Sequence, residues 1–486
     1  MENFFITTTL PYINSEPHLG FAKEIINADI IARYKRQLGF NVFFNTGTDE
    51  HGKKIYQKAL EANMEISKYC DKYSKKFLEL KEVLNLSFDN FIRTTDEDHI
   101  KAVQNFWERC RANGDIYKKK YSVKYCVGCE MEKTDSELEN GVCPFHPNQE
   151  IENIDEENYF FKFSKYQNQL LDFYKKNPDF VQSSGRFKEI ISFVQSGLKD
   201  FSVSRLKEKM PWGVPVPEDD TQVMYVCFDA LVNYISCLGW PDNLENFDLF
   251  WPGLQVCGKD NLRPQTAMWP AFLMSAGITP PQKVLVFGFL TVNNQKISKS
   301  LGNSVDLFQL IKKYGSDVIR YYLSKEISTF EDGDFSYEKL EKLYLSDLSN
   351  GLGNLVARVS NLIEKNNLDI KLRKPEFQGS TPMIPKEENS FFNELDKKMK
   401  EYKLNEALNL IALKTKKTDE FLSHKAPWKM TDKKEMTEVL QIASADILDI
   451  ALSIFPFIPE TADKIIKQFT AKEIVKGESL FPKLIN

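Results

Sequence analysis

"FFITTTLPYINSEPHLGFAKEIINADIIARYKRQLG" runs from Phe4 to Gly39. "FFITTTL" (4–10) is rich in apolar and β-branched residues, a strand signal. A Pro/Asn/Ser/Pro loop follows, and then apolar positions recur at helical spacing over 21–39 and stop at a glycine. Strand, polar loop and helix in that order are the repeating unit of a parallel sheet with crossover helices. The unit repeats at once, with "NVFFNTG" (41–47) as strand and "GKKIYQKALEANM" (52–64) as helix. Strand-like runs return at "TQVMYVCFDAL" (221–231), "LQVCGKD" (254–260) and "KVLVFGFL" (283–290). The expected fold is α/β, a Rossmann-like parallel sheet.

Cysteines, glycines and charge break that rhythm over 115–160, so the sheet is expected to be split by an insertion. The division is 1–115 and 221–335 for the split sheet, 116–220 for the connective insertion and 336–486 for a helical domain. "KLRKPEFQGSTPMIPKEE" (371–388) reads as a linker between helices. A chain of 486 residues is too long for one core, and 42% hydrophobic residues exclude global disorder. No positively charged segment leads into an apolar stretch at the N-terminus, and no run has the apolar length of a membrane span. A cytoplasmic protein is expected. A net charge of −5 excludes a uniformly basic nucleic-acid binder. Locally the sign reverses, since between Asp396 and Met436 lysines outnumber acids 11 to 7.

Polar residues gather at the strand ends. His18 and Gly20 lie where the first strand hands over to the first helix, a place where anions bind. His18 there suits either a phosphate donor or a helix cap. Asp49 and His51, in "GTDEHG" (47–52), occupy the next such junction; Asp49 suits a substrate ammonium or an N-cap. Gly258 and Asp260 occupy a third, where an acid can accept from ribose hydroxyls. "NQKISKSLGN" (294–303), just past an apolar run, is a fourth. Its lysines and hydroxyls suit a phosphate clamp, or simply a solvated turn.

"CVGC" (126–129) and "CPFH" (143–146) give C-x2-C-x13-C-x2-H. Two tight turns can present Cys126, Cys129, Cys143 and His146 to one metal as a closed structural site. Zinc is preferred on ligand type, and iron takes similar ligands. In "HKAPWK" (424–429), Trp428 suits stacking on an unpaired base or a place in the core.

Together these motifs resemble the class I aminoacyl-tRNA synthetases and, within that class, the methionyl-tRNA synthetase family, over essentially the whole chain. "HLGF" (18–21) stands at the HIGH signature and "KISKS" (296–300) at KMSKS, with a zinc knuckle between them. "NLVAR" (354–358) and "APW" (426–428) match the family's anticodon-reading helices. The resemblance implies that the substrates are methionine, ATP with Mg2+, and tRNA(Met). His18, Lys296 and Lys299 would be catalytic. His18, Gly20, Gly258, Asp260, Lys296, Ser298 and Lys299 would bind ATP. Tyr12 and Asp49 would hold the substrate ammonium, Leu10, Ala230 and Tyr234 would shape the pocket, and Arg205 would add an active-site charge. Asn354, Arg358 and Trp428 would read the anticodon, and one structural Zn2+ would sit in the knuckle.

Three positions depart from the family pattern. Phe21 replaces the second histidine of HIGH, Cys227 stands where tryptophan is usual, and Gln265 where histidine is common. The last two bear on recognition of the substrate side chain. Rival expectations are a class I synthetase for another apolar amino acid and a non-catalytic tRNA-binding relative. No β-barrel segment follows "PFIPETADKII" (456–466), so a monomer is expected.

Overall fold

The computed structural model describes residues 1–129, 131–292, 295–296, 305–385 and 389–482. At its centre is a six-stranded, wholly parallel sheet. In spatial order its strands are β3 (Asn90–Arg93), β2 (Asn41–Thr48), β1 (Asn3–Thr7), then Leu254–Gly258, Lys283–Phe287 and Val181–Gln182. The order reverses between β1 and Leu254–Gly258, so their C-terminal ends flank a crevice at the topological switch point. Helix α1 (Leu19–Gln37) crosses from β1 to β2 and is buried on nearly every face. That explains its weak amphipathicity: the sheet covers one side and the C-terminal helices the other.

The insertion is built on a second, antiparallel sheet. Its long strands Ile116–Cys126 and Ile151–Phe161 pair from Ile116↔Phe161 to Cys126↔Ile151. The short strands Met131–Lys133 and Phe201–Ser202 extend it on either side. Val181–Gln182 lies within 116–220 in sequence yet joins the edge of the parallel sheet, which staples the insertion to it. Among the described residues from Tyr337 to Phe469 the regular elements are helices, apart from a small hairpin, Phe377–Gln378 with Thr381–Pro382, inside the expected linker.

Two runs differ from their sequence reading. "TQVMYVCFDAL" is strand only to Met224; Val226–Leu231 is a helix. Its residues are apolar apart from Asp229 and mostly buried, and a run of six is too short to carry a period. "KVLVFGFL" is two strands. Lys283–Phe287 stops at Gly288, where a Cβ would lie 2.0 Å from the Glu331 carbonyl oxygen, and Leu290–Val292 then pairs elsewhere.

Among the described residues no helix is long and apolar enough to cross a membrane.

Candidate active site

His18 is the N-cap of α1. Its Nδ1 accepts from the backbone N–H of Gly20 at 3.1 Å and of Phe21 at 3.3 Å. A neutral ring that accepts at Nδ1 carries its proton on Nε2, so the cap itself sets the tautomer. The capping and phosphate-binding expectations for His18 are therefore compatible, one for each ring nitrogen. Phe21 turns the other way: it is buried and packs edge-on against Phe77 with ring centroids 5.4 Å apart. The aromatic at this position serves the core.

Across the crevice, Gly258 ends its strand and Asp260 is exposed in the short turn that follows. Glu24, one turn and a half along α1 from the cap, accepts from Thr9 N at 3.0 Å. Desolvation, helped by nearby Asp260, pushes its carboxyl up to about 8 against hydrogen bonds from Thr9 and Gly258. The sequence reading missed Glu24; an acid among the apolar positions of a buried helix was its signal. Lys23 beside it is buried, donates to the Gly288 carbonyl at 3.0 Å and is lowered to about 8 by desolvation. The crevice thus holds two titratable groups moved toward neutrality, as functional clefts do.

On the other side of β1, Asp49 is buried, and its backbone bridges to the 11–13 segment. Asp49 N donates to the Pro11 carbonyl at 3.0 Å, and Tyr12 and Asp49 pair as an isolated parallel bridge. The loop after β1 and the end of β2 are thereby locked together. Leu10, Tyr234 and Gln265 are all buried. Gln265 Nε2 donates to the Tyr234 hydroxyl and lies 3.4 Å from Thr9 Oγ1, while its Oε1 has no hydrogen-bond partner among the described residues. Cys227 and Ala230, half-buried, lie on the helix Val226–Leu231. Cys227 packs with Tyr12 against an aromatic cluster of Tyr121, Tyr125, Phe160 and Tyr225. Arg205 is buried between Tyr225 and Tyr125, 4.1 and 5.2 Å from their ring centres, and donates to Ser202 Oγ at 2.7 Å.

Lys296 ends a two-residue strand, Gln295–Lys296, paired with Thr291. Ser298 and Lys299 lie outside the described residues.

The cysteine cluster closes as expected. The ligand atoms of Cys126, Cys129, Cys143 and His146 all lie within 4.8 Å of one another. Cys129 Sγ is 3.4 Å from Cys143 Sγ and 3.3 Å from His146 Nδ1; Cys126 Sγ is 3.8 Å from that nitrogen. A tetrahedron with metal–sulfur bonds of about 2.3 Å has edges of roughly 3.5–3.8 Å, so the set could hold one metal ion. A Cβ on Gly128 would meet the His146 ring at 2.4 Å, which requires glycine in that turn.

Far along the chain, Asn354 and Arg358 are one turn apart on the helix Asn354–Lys365. Arg358 lies 5.1 Å from the Trp428 ring centre, and Trp428 is 46% exposed, so a core role for it does not hold.

The family described as tRNA synthetases class I (M) matches over residues 4–153 and 135–360. A methionine–tRNA ligase of Thermotoga maritima is 40% identical, covering 99% of this chain and 80% of its own. One of Rickettsia felis is also 40% identical, over 99% and 94%. The structure of Mycobacterium tuberculosis methionyl-tRNA synthetase in complex with methionyl-adenylate superposes with a TM-score of 0.92 at 35% identity, covering 99% and 100% of the two chains. The free form of that enzyme gives 0.84 at 32% identity, covering 99% and 98%.

Proposed function

We infer from the methionyl-tRNA synthetase family of class I, to which this chain belongs, that it is an ATP-dependent ligase joining methionine to tRNA(Met). The observation that carries the reading is the crevice at the switch point, with His18 capping α1 on one side of β1 and buried Asp49 on the other. A nucleotide triphosphate and an amino acid can meet between them.

In the first step a carboxylate oxygen of methionine attacks the α-phosphorus of ATP. The bond to the β-phosphate bridging oxygen breaks, giving methionyl-adenylate and pyrophosphate. His18 donates from Nε2 to the phosphates, and Gly20 keeps the approach open. Lys296 and Lys299, with Ser298, close over the triphosphate and neutralise charge on the departing pyrophosphate. Gly258 and Asp260 hold the ribose, with Glu24 beneath them. Bound Mg2+ would screen the phosphate charge. This is catalysis by position and electrostatics. In the second step a ribose hydroxyl at the 3′ end of tRNA attacks the methionyl carbonyl and AMP leaves.

Tyr12 and Asp49 receive the methionine ammonium, and Arg205 balances charge at the same end. Leu10, Cys227, Ala230, Tyr234 and Gln265 enclose the side chain. The Gln265 oxygen or, with the amide turned over, its NH2 group faces the thioether. Asn354, Arg358 and Trp428 read the anticodon; two guanidinium nitrogens of Arg358 have no hydrogen-bond partner among the described residues. Three thiols and an imidazole at these separations favour Zn2+ as the metal of the knuckle, held as a structural ion. The division into a split catalytic domain, an insertion and a helical anticodon-binding domain follows the boundaries given above. We place the protein in the cytoplasm, where its free thiols are stable, and as a monomer.

The test is ATP–pyrophosphate exchange with methionine, homocysteine, leucine, isoleucine and valine. Exchange far strongest with methionine is expected. Exchange strongest with another amino acid would overturn the substrate, and none with any of them would overturn the enzyme.

A further inference from the structure

Asp49 continues β2 into two neighbours that are also buried, Glu50 and His51. They are tied in different directions. Glu50 accepts from Arg93 Nε and Nη2 at 2.8 and 2.9 Å, and from Thr95 Oγ1 at 2.6 Å. His51 Nδ1 lies 2.6 Å from Asp229 Oδ2, and its backbone N–H points to Asp49 Oδ1 at 3.4 Å. The second oxygen of Asp229 lies 2.9 Å from His99 Nε2, and His99 Nδ1 lies 2.8 Å from Ser236 Oγ. Asp229, His99 and His51 are 0%, 1% and 4% exposed.

This buried chain joins three parts of the molecule. His51 belongs to the junction after β2, and His99 to the helix Glu97–Ala112. Asp229 and Ser236 belong to the paired short helices Val226–Leu231 and Asn233–Ser236. Those helices also carry Cys227, Ala230 and Tyr234. One carboxylate therefore connects the ammonium end of the amino-acid site to the wall around the side chain. A fully buried carboxylate is a costly way to join two elements, because apolar packing of the same volume is often as stable. What a bridged carboxylate adds is direction: two imidazole donors fix two distances at once.

We propose that Asp229, acting through His51 and His99, is a positioning residue that sets the span between the Asp49 carboxylate and the side-chain pocket, so that the enzyme measures the length of its amino acid. The proposal rests on the roles given above to Asp49 and Tyr234. An amino acid one methylene shorter or longer than methionine then misplaces either its ammonium or its terminal group. Apolar pockets alone discriminate single methylenes weakly, which is where a fixed span adds most.

Asp229→Asn keeps the volume but puts a donor where an acceptor stood, so one imidazole loses its bond. His99→Gln leaves the His51–Asp229 contact in place and removes the outer support. Exchange kinetics of wild type and both variants would be measured with methionine, with homocysteine as the shorter probe and with ethionine as the longer one. The KM for methionine is expected to rise about tenfold, and selectivity over ethionine to fall by a similar factor, with the KM for ATP within about twofold of wild type. Unchanged methionine KM and selectivity in a folded variant, with only a lower unfolding midpoint, would reduce the network to a structural one and overturn the proposal. If Asp229→Asn does not fold, His99→Gln decides by the same two criteria. Wild-type protein without methionine-dependent exchange would overturn the underlying reading, and the proposal with it.

Discussion

Arg320 donates to Asp29 at 2.7 Å, and both side chains are fully buried. Asp29 lies on α1, the helix whose cap is His18, and Arg320 lies on the helix Ser316–Lys325. The same guanidinium donates to the carbonyls of Leu84, Phe457 and Pro456, so one side chain clasps the catalytic sheet's first helix and the C-terminal helices together. Removing either partner has unequal consequences. Asp29→Ala strands a buried cation and is expected to cost about 3–5 kcal/mol. Arg320→Met leaves Asp29 paired to Arg33 and Ser87 and strands no charge, but it frees three buried carbonyls at about 1–3 kcal/mol each. Its cost should therefore be at least as large as that of Asp29→Ala, and the urea midpoints of both variants should fall.

The same pair has a pH signature. Burial would raise the Asp29 carboxyl, but Arg33, Arg320 and Ser87 outweigh it and hold it down at about 2. A depressed folded-state pKa contributes stability that is whole above the unfolded carboxyl's value, about 3.9, and is lost as pH falls through the folded value. Between about pH 4 and 2 the wild type should lose stability faster than Asp29→Asn. Thermal midpoints of both proteins across that window check this.

Phe21→His would restore the second histidine of the signature. It is expected to bring no gain in ATP–pyrophosphate exchange, because the side chain at that position faces Phe77 and the core under α1. Placing an imidazole there should instead cost about 1–3 kcal/mol. Exchange rate and unfolding midpoint measured on the same preparation separate the two effects.

Cys143→Ser should reduce bound metal from about one per chain toward zero, as read by elemental analysis. Its influence should stay local. The knuckle is a turn-rich segment in which Cys143 is the one buried side chain among the described residues of 127–149, while the strands Ile116–Cys126 and Ile151–Phe161 are paired along their whole length. Hydrogen exchange should therefore accelerate over 127–149 and remain slow in those strands.

Much of this was legible in the sequence because it was local. Strand, loop and helix over Asn3–Gln37 show their periods, and the four residues that could hold a metal announce themselves by spacing. Helix Val226–Leu231 carried no period, since six mostly buried residues are too few to show one. The Asp229 network was invisible for another reason: His51 and His99 reach it across 178 and 130 positions of chain, and no local pattern encodes such a meeting. Glu24 stood in plain sight, but its meaning depends on Gly258 and Asp260 folding beside it.

Arg358 and Trp428 are the pair on which anticodon reading should turn. Trp428 follows Ala426, whose left-handed backbone (φ 46°) ends the helix Leu404–Lys425 and turns the ring outward. Arg358 stays beside it, held on its far side by Asp419 at 3.2 Å. A base stacked there contributes about 1–3 kcal/mol, so Trp428→Ala should raise the KM for tRNA by roughly 5- to 150-fold. Arg358→Ala should do the same and also relax the distinction between anticodons, because it removes donors as well as stacking surface. Neither change touches the crevice between His18 and Asp49. Methionine-dependent ATP–pyrophosphate exchange, run without tRNA, should therefore stay at the wild-type rate in both variants. A parallel fall in exchange would mean that the two substitutions disturb the catalytic sheet, and the anticodon assignment would fail.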